Sequence, residues 1–413
     1  MKVLVLTTTF PRWENDTVPA FVYQLSESLQ KNGLEIVVLA PHDGNAKQFE
    51  ETTSGMKIYR FPYFIPHKYQ KLANGAGILP NIKKSFLAKL QIPILFIVEA
   101  FYAFWLVRKE AIDVVHTHWM VPSGLIGATI SRFVHKRHIL TEHTAGITAL
   151  DYFPFKEKFA QYILNNCEKC TVVSTHVYNR LLDLIPTQER AKIEQKIEII
   201  PMGVTTSKYD SRTDINALKA KYGIQEQNVL LFIGRVAEKK GLAYLISAMP
   251  KILEKHPNTI LIVIGNGPLR SDIENTVEKE NLSPHIVFAG TVSEQEKIAY
   301  LHLADILVVP SIVTDQGDTE GMPVVIMEGL AAGKPIVASD VGGVRDTIID
   351  GTNGILVEEK NPDQLSMRVI ELLVNHELRV KLAGNAVRYA KRFDWETIGQ
   401  RHSDLITGPN GSG

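Results

Sequence analysis

The chain has 413 residues, of which 45% are hydrophobic and 22% are charged. This composition is typical of a soluble globular protein and excludes a disordered one. The length predicts two domains, because it exceeds what one hydrophobic core normally holds. The 45 basic and 45 acidic residues cancel, and we expect no nucleic-acid partner.

The first predicted elements alternate between strands and helices. KVLVLTT is a short apolar run that predicts a buried strand, and because no signal peptide precedes it we expect a cytoplasmic protein. After a polar loop, FVYQLSESLQKNG predicts a helix that ends at Gly33. Further strands are predicted at EIVVLAP, IDVVHTHW, RHILTEH, CTVVS and KIEIIPMGV.

Positive charge is concentrated in residues 57–109, which contain nine basic residues and one acid, Glu99. Such a run attracts an anionic membrane surface or other anions, or forms an ordinary solvated face. Within it, residues 90–107 are apolar and about as long as the minimum for a membrane span. Pro93 and Glu99 interrupt this stretch, and we predict a helix that is buried or lies along a membrane surface.

Two motifs in the first half are candidates for metal binding. Cys167 and Cys170 form a lone CxxC, which has half the ligands of a structural zinc site, and we predict two packed thiols in a reducing compartment. His116 and His118 would point to one face of a strand, but no third ligand stands at a suggestive spacing. A structural role or an acceptor contact is therefore favoured over a metal.

The second half repeats the alternation, with strands predicted at NVLLFIG, TILIVIG, HIVFAG, ILVVPS and PIVAS. Strands that alternate with helices imply parallel sheets covered on both faces. The sequence thus predicts two doubly wound α/β domains joined near residues 202–212. Ligands of such sheets bind beyond the carboxyl ends of the strands, and we expect the site in a cleft between the domains.

Two glutamates with seven residues between them stand near the start of a predicted helix, Glu320 in the preceding loop and Glu328 inside the helix. Pro323 suits the first turn of this helix, and Gly333 ends it. The carboxylates suit the hydroxyls of a sugar and of a ribose; the alternative is a helix-end charge and an ordinary salt bridge. Backbone N–H groups that would bind an anion or a hydroxyl oxygen are expected at Gly321, Met322 and Val324.

Two cations follow the first strand of the second half, Arg235 and Lys240. At the carboxyl end of a strand they suit a diphosphate, each being worth about 4 kcal/mol at ~4 Å from a phosphate oxygen; surface cations without a ligand are the alternative. The turn at Gly265 and Gly267 would let backbone approach a nucleotide. The third glycine of the dinucleotide fingerprint is absent, which argues against an NAD or FAD enzyme.

Six motifs, in their order along the chain, closely resemble those of the retaining glycosyltransferases of family 4. They are DVVHTHW, IPMGV, GR…KKG, IGNGP, the Glu320–Glu328 pair and GKPIVASDVGGVRDTI. The resemblance runs from the first strand to residues 393–395 and implies the GT-B fold, an α/β architecture of two Rossmann-like doubly wound domains facing a central cleft. It implies an acceptor domain at 1–205, a donor domain at 206–392, a helix at 393–407 that crosses back, and a disordered tail at 408–413.

The resemblance also implies roles for individual residues. Arg235 and Lys240 would hold the donor diphosphate, Glu320 the donor sugar, and Glu328 the ribose. His143 would lie at the reaction centre, and these residues other than Glu328 are the predicted catalytic groups. Other donor contacts are implied at Gly265, Gly321, Met322, Pro323 and Val292, the last through backbone to the base. His118 and Trp119 are expected on the acceptor side.

One departure from the family concerns the loop after the first strand. Many members carry a Gly-Gly loop there, whereas this chain has PRWENDTVPAF, without glycine. Because backbone approach to a phosphate is sterically harder without glycine, we expect this loop to serve the acceptor or to move on binding.

The function implied is transfer of a sugar from a UDP- or GDP-sugar to a hydroxyl acceptor, with retained configuration and without cofactor or metal. A sugar or a lipid-linked molecule in glycolipid, polysaccharide or other cell-envelope glycan synthesis is the expected acceptor. The enzyme would be cytoplasmic or peripheral on the inner face of the membrane. A nucleotide-sugar epimerase of the same architecture and a non-catalytic sugar-nucleotide sensor are the alternatives.

Overall fold

A computed structural model of the chain describes residues 1–13, 16, 18–44, 46–73, 77–210 and 213–408. They form two compact units, Met1–Gly203 with Trp395–Gly413, and Val204–Asp394. Ser211 and Arg212 of the predicted linker, and residues 409–413 of the predicted tail, lie outside the described residues.

The first unit is built on an eight-stranded sheet in the described part of the chain. Its strands are β1 (Lys2–Leu6), β2 (Glu35–Pro41), β3 (Phe49–Glu51), β4 (Lys57–Phe61), β5 (Val114–His118), β6 (Arg137–Glu142), β7 (Lys169–Val172) and β8 (Ile197–Ile199). The order is β3-β4-β2-β1-β5-β6-β7-β8, and only the β3–β4 pair is antiparallel. The central strands are buried on both faces, β1 as a Val–Leu run and β5 with two histidines and a threonine among its five residues.

Helices cover both faces of this sheet. They are α1 (Phe21–Lys31), α2 (Ile78–Lys84), α3 (Phe86–Lys109), α4 (Leu125–Val134), α5 (Ala145–Leu150), α6 (Lys156–Asn165), α7 (Thr175–Asp183) and α8 (Thr187–Glu194). A short π-helical turn, Met120–Gly124, joins β5 to α4.

The second unit has a six-stranded, fully parallel sheet among the described residues, in the order β11-β10-β9-β12-β13-β14. Its strands are β9 (Asn228–Ile233), β10 (Thr259–Ile264), β11 (Ile286–Gly290), β12 (Ile306–Val309), β13 (Ile336–Ser339) and β14 (Ile355–Val357). Its helices are α9 (Asn216–Tyr222), α10 (Leu242–Lys255), α11 (Arg270–Lys279), α12 (Glu294–Leu303), α13 (Val324–Ala331), α14 (Pro362–Val374) and α15 (His376–Ala390).

The last helix, α16 (Trp395–Thr407), belongs to the first unit and packs on α1. Ser28 Oγ donates to the Trp395 carbonyl at 2.7 Å. A Cβ on Gly399 would lie 1.8 Å from Ser28 Oγ, and one on Gly203 would lie 2.3 Å from the Trp395 ring. Glycine is therefore needed at both positions for space.

Helix α3 is continuous through Pro93, and the helix predicted for this apolar stretch is confirmed. Ser85 caps it by accepting the Ala88 N–H at 3.3 Å. It is long and apolar enough to cross a membrane, with a mean hydropathy of 1.9, but one third of its apolar window is buried inside the protein. Glu99 points inward, where Ser123 Oγ donates to its Oε1 at 2.7 Å. Burial raises the pKa of Glu99 to about 8, against the opposing effect of Ser123.

Replacing Glu99 by glutamine should change the pH dependence of stability. The ordinary pKa of 4.5 rises to about 8 in the folded chain, so between these values the folded state binds more protons than the unfolded state. As pH rises through that window, the free energy of unfolding of the wild type should therefore fall relative to that of the variant, by up to about 1.4 kcal/mol per pH unit. Thermal unfolding of both proteins at pH 5, 6, 7 and 8 measures it. Parallel pH profiles would contradict the prediction.

The two cysteines are buried free thiols, as predicted. Burial raises the pKa of Cys167 to about 12, and burial also raises the pKa of Cys170 well above its usual value. Such thiols stay protonated at neutral pH and are poor nucleophiles or metal ligands.

Candidate active site

The predicted diphosphate-binding cations follow β9 at the carboxyl edge of the second sheet. Arg235 is exposed and has no ion-pair partner within the described ranges. Lys240 ends a 3-10 turn, Glu238–Lys240, and the Lys239 carbonyl of this turn accepts the Ile312 N–H at 2.9 Å, just after β12. This turn is held tightly, because Gly241 has a φ of +64° and a Cβ there would lie 1.8 Å from the Pro310 carbonyl oxygen.

Glu320 lies against Lys240, with 2.8 Å between its Oε1 and the lysine Nζ. The residue is only 6% exposed. Burial by itself raises the pKa of Glu320, but the ammonium groups of Lys240 and Lys239 outweigh burial and hold the pKa below its usual value. Glu320 is therefore a buried, ionised carboxylate at neutral pH.

The backbone of Glu320 is held in place by the DVGG segment, residues 340–343. Gly343 N–H donates to the Glu320 carbonyl at 3.1 Å. Gly342 has a φ of +54°, and a Cβ there would lie 2.0 Å from the same oxygen. The two glycines of this motif thus fix the position of the loop that carries Glu320.

Glu328 lies inside α13 and pairs with Lys297 of α12, with 2.6 Å between Oε1 and Nζ. Lys297 also contacts Glu294 at 2.7 Å. Burial lowers the pKa of Lys297, but Glu328 and Glu294 outweigh burial and raise it. Tyr209 is buried beside this pair, and its pKa is raised by burial and by the two carboxylates.

Glu328 therefore has the salt bridge that the alternative interpretation expected, and Glu320 has an ion pair with Lys240 that it did not expect. A carboxylate offers about four lone-pair positions as hydrogen-bond acceptors, and an ion pair with one lysine leaves some of them available. Each can still accept hydroxyl hydrogens while its lysine neutralises it.

The start of α13 differs from the prediction in one detail. Pro323 has a φ of −75° and a ψ of 108° and precedes the helix as its cap, so it is not in the first turn. Gly321 and Met322 lie between Glu320 and this cap, and Met322 is 8% exposed.

The predicted nucleotide contacts at Gly265 and Val292 follow the next two strands along the same edge. Gly265 has a φ of +126°, and a Cβ there would lie 1.9 Å from the Gly234 carbonyl oxygen. Its N–H donates to Gly290 at 2.8 Å, two residues before Val292. The glycine thus allows three strand-end loops to touch.

The second unit brings the predicted donor residues to one place. They follow the carboxyl ends of β9, β10, β11 and β12, which are neighbours in the sheet. This is where parallel α/β sheets bind ligands.

The predicted reaction-centre residues lie together at the carboxyl edge of the first sheet. His143 Nε2 and His118 Nδ1 are 2.9 Å apart. The Trp119 and His143 rings have centroids 5.2 Å apart, and Phe21 packs on His143 at 4.9 Å.

His143 ends a row of buried imidazoles. The ring of His116 is 4.6 Å from that of His118 and 5.9 Å from that of His402. Burial lowers the pKa of His143 to about 3 and that of His116 to about 4. These imidazoles are neutral at working pH, and His116 Nε2 is 2.8 Å from Thr141 Oγ1, which fits a structural role. Within the described residues no group of three or more His, Cys, Asp or Glu side chains could hold a metal ion.

Sequence reasoning missed Glu142, which precedes His143. Its buried carboxylate accepts the Met120 N–H at 2.7 Å and the Gly146 N–H at 3.0 Å. Burial raises the pKa of Glu142 to about 7, opposed by these backbone donors. A Cβ on Gly146 would lie 2.2 Å from Glu142 Oε2, so the glycine makes the approach possible.

Glu142 holds two loops together, and each loop contains a residue other than glycine with a positive φ angle. Trp119, just before Met120, has a φ of +68°, and Thr144 has a φ of +93°. Such conformations cost about 1–3 kcal/mol each and persist only when neighbouring contacts hold them. Glu142 therefore positions both Trp119 and His143.

We expect Glu142→Gln to loosen these two loops selectively. The amide would present an N–H group to a backbone donor, losing at least one charge-assisted hydrogen bond of about 1.5–3 kcal/mol. Peptides covering 119–124 and 143–148 should exchange amide hydrogens about 10-fold faster or more, measured by mass spectrometry. The control Glu194→Gln, at an exposed position, should leave the exchange rates of these peptides unchanged. A uniform increase in exchange rate across the whole chain in Glu142→Gln would contradict the positioning role.

A cavity of about 200 Å³ adjoins Trp119 within the first unit. Phe10, Val18 and Asp43 also line it, and Arg12 pairs there with Asp43. The glycine-free loop 11–21 thus borders the acceptor-side residues. Glu14, Asn15 and Thr17 of that loop lie outside the described residues.

Two family models match the chain. Residues 18–208 match Glycosyltransferase Family 4, and residues 214–389 match Glycosyl transferases group 1. An uncharacterized glycosyltransferase of Methanocaldococcus jannaschii is 32% identical over 70% of this chain and 74% of that protein. The chain therefore belongs to glycosyltransferase family 4, which confirms the predicted resemblance.

One further relative and one solved structure are similar over most of the chain. The GDP-mannose-dependent alpha-(1-6)-phosphatidylinositol monomannoside mannosyltransferase of Mycolicibacterium smegmatis is 26% identical over 73% of this chain and 78% of that protein. Sucrose-phosphate synthase from Thermosynechococcus elongatus matches with a TM-score of 0.76 at 20% identity, covering 98% of both chains. The predicted GT-B fold is confirmed, and the protein is a glycosyltransferase.

Proposed function

We propose that this glycosyltransferase moves a sugar from a nucleoside-diphosphate-sugar, UDP- or GDP-linked, to an acceptor hydroxyl. The observation that carries the proposal is the carboxyl edge of the second sheet, where Arg235, Lys240, Glu320 and Glu328 follow neighbouring strands. The mannosyltransferase relative is GDP-mannose-dependent by name, which supports a nucleotide-linked donor here.

The cations would bind the diphosphate and stabilise the charge that develops on it as it leaves. Arg235 is exposed and has no competing carboxylate among the described residues. Preorganised cations of this kind are among the largest contributors to catalysis. Together with the start of α13, they supply the positive charge that a metal ion supplies in other enzymes, and we propose a metal-independent reaction without cofactor.

The glutamates would bind the two sugars of the donor. Glu320, ionised and next to Lys240, accepts hydrogens from the hexose hydroxyls, while Lys240 lies between that sugar and the diphosphate. Glu328 accepts from the ribose diol, and backbone near Gly265 and Val292 meets the base.

Transfer would retain the anomeric configuration by attack on the same face that the diphosphate leaves. A double displacement needs a carboxylate nucleophile at the anomeric carbon. Glu320 is a poor one, because it is 6% exposed and its Oε1 is held 2.8 Å from Lys240 Nζ. The leaving phosphate oxygen instead takes the acceptor's proton as the new glycosidic bond forms, and His143 with Trp119 orients the acceptor.

The acceptor is a hydroxyl of a glycan or glycolipid of the cell envelope. The cavity next to Trp119 holds about 200 Å³, less than the roughly 300–1,000 Å³ of a complete ligand pocket. It suits one sugar unit of a larger acceptor. The relative's phosphatidylinositol monomannoside substrate supports this class.

A thermal-shift screen of UDP- and GDP-sugars tests the proposal. A ligand at 100 times its dissociation constant adds about 2.7 kcal/mol of stability, whereas the matching nucleoside monophosphates should add less. The protein is then incubated with the stabilising donor, with and without an extract that contains acceptor molecules. Sugar interconversion without acceptor would indicate an epimerase, and binding without transfer or hydrolysis would indicate a sensor; either result would refute the proposal.

A further inference from the structure

Helix α3 exposes an apolar stripe along its whole length. The spacing of the exposed residues, three or four apart, keeps them on one side of the helix. Their exposed fractions are 76% for Phe86, 55% for Leu90, 36% for Ile94, 68% for Ile97, 69% for Phe101 and 40% for Trp105. A helix of 24 residues is about 36 Å long. Contiguous apolar surface on this scale marks an interaction site.

The opposite side of α3 is fixed to the protein. Gln91 accepts the N–H groups of Lys71 and Leu72 and donates to the Tyr69 carbonyl at 2.6 Å. Glu99 accepts from Ser123, and Leu95 is 1% exposed in the core. The helix therefore cannot turn to cross a bilayer without breaking these buried contacts. It can meet lipid only lengthwise, along its exposed stripe.

The exposed charges of α2 and α3 beside the stripe are all positive. Lys83, Lys84 and Lys89 are exposed at its start, and Arg108 and Lys109 are exposed at its end. Glu99, the one acid between residues 57 and 109, is fully buried on the inner side. Cations beside inserted apolar side chains match anionic lipid headgroups.

The exposed apolar surface continues beyond α3. Phe96 contacts Phe153, with ring centroids 6.1 Å apart. Next to Phe153, Tyr152 is 56% exposed and Phe155 is 69% exposed. Lys158 lies over the Phe155 ring at 5.4 Å, and the exposed acids Asp151 and Glu157 stand in the same segment.

We propose that α3 lies flat in the interface of an anionic lipid bilayer, with its exposed stripe among the acyl chains and its flanking lysines and arginines at the headgroups. The Ser123–Glu99 hydrogen bond of 2.7 Å joins α3 to the turn after Trp119. Docking thus fixes the position of the acceptor-side residues relative to the lipid surface. Docking itself is independent of the proposed function; its use for a lipid-linked acceptor rests on that function.

Vesicle flotation of the full chain tests the docking. Binding to vesicles of 30% phosphatidylglycerol in phosphatidylcholine should be at least 10-fold tighter than to phosphatidylcholine alone. Ile97→Asp with Phe101→Asp should weaken binding about 100-fold or more, and both positions are exposed, so folding is kept. The matched control is Val374→Asp with Val380→Asp, at positions that are 70% and 57% exposed on the second unit, and it should bind like wild type.

The orientation is tested by Trp scanning in a Trp105→Phe background. Leu90→Trp, Ile97→Trp and Phe101→Trp should be quenched equally by lipids brominated at one acyl depth. A steep gradient of quenching along the helix would indicate a span and overturn the proposal. So would wild-type protein that fails to float, or a lipid-free dimer dissociated by Ile97→Asp, which would assign the stripe to a second copy.

The same proteins separate docking from the proposed function. Stabilisation by a UDP- or GDP-sugar should be unchanged in the α3 variants, because the predicted donor residues lie in Val204–Asp394. Loss of flotation with intact donor binding supports docking as a separate property. Flotation without any donor binding would refute the proposed function and leave docking standing.

Discussion

We expect Arg235→Ala to lower the turnover of sugar transfer by about 100-fold or more, the usual cost of losing one key donor to a developing charge. The reason is that Arg235 stands exposed at the end of β9 with no competing carboxylate within the described ranges, so its guanidinium is available to the leaving diphosphate. The measurement is kcat with the donor found by the stability screen.

Two further variants make this result specific. Arg235→Lys keeps a cation but loses the two-pronged geometry, and should fall between wild type and alanine. Arg388→Ala removes an exposed arginine from α15 and should leave turnover unchanged. Because Arg235 is exposed, thermal stability should stay within about 0.5 kcal/mol. Wild-type turnover in Arg235→Ala would remove the phosphate role.

The sequence predicted both sheets and the edge at which the candidate site lies, because parallel strands are apolar runs bounded by turn residues. Motif residues near strand ends could therefore be assigned to one edge. It did not predict which lysine meets which glutamate. Lys297 precedes Glu328 by about thirty residues, and the salt bridge that links α12 to α13 forms only in the folded chain.

Helix α3 shows a second limit of sequence reasoning. Its inner side packs on the sheet and is apolar apart from the buried Gln91 and Glu99, and its outer side is apolar as well, so the sequence has no amphipathic period that would separate the two. The prediction left burial and a membrane surface open for this reason. Glu142 was missed because a charged residue at a strand end usually faces solvent, and only the fold shows two loops closing over it.

Lys240→Met should destabilise the second unit strongly, because it leaves Glu320, which is 6% exposed, as a buried charge without its partner. Breaking such a pair costs about 3–5 kcal/mol. For a unit of this size the midpoint of thermal unfolding should fall by about 6–20 °C. Lys251→Met, at an exposed lysine of α10, is the control and should unfold like wild type.

Adding Glu320→Gln to Lys240→Met should restore most of the stability but none of the activity, since the neutral pair no longer buries an unpaired charge. The pH dependence should also reverse. In the wild type the pKa of Glu320 is depressed, so its contribution is present above the unfolded pKa and is lost as pH falls through the folded pKa. In Lys240→Met burial raises the pKa instead, the folded state binds the extra proton, and stability falls as pH rises above about 4.5. Equal pH slopes for the two proteins would mean that Lys240 does not neutralise Glu320, and the role of the pair in holding donor sugar and diphosphate together would fail with it.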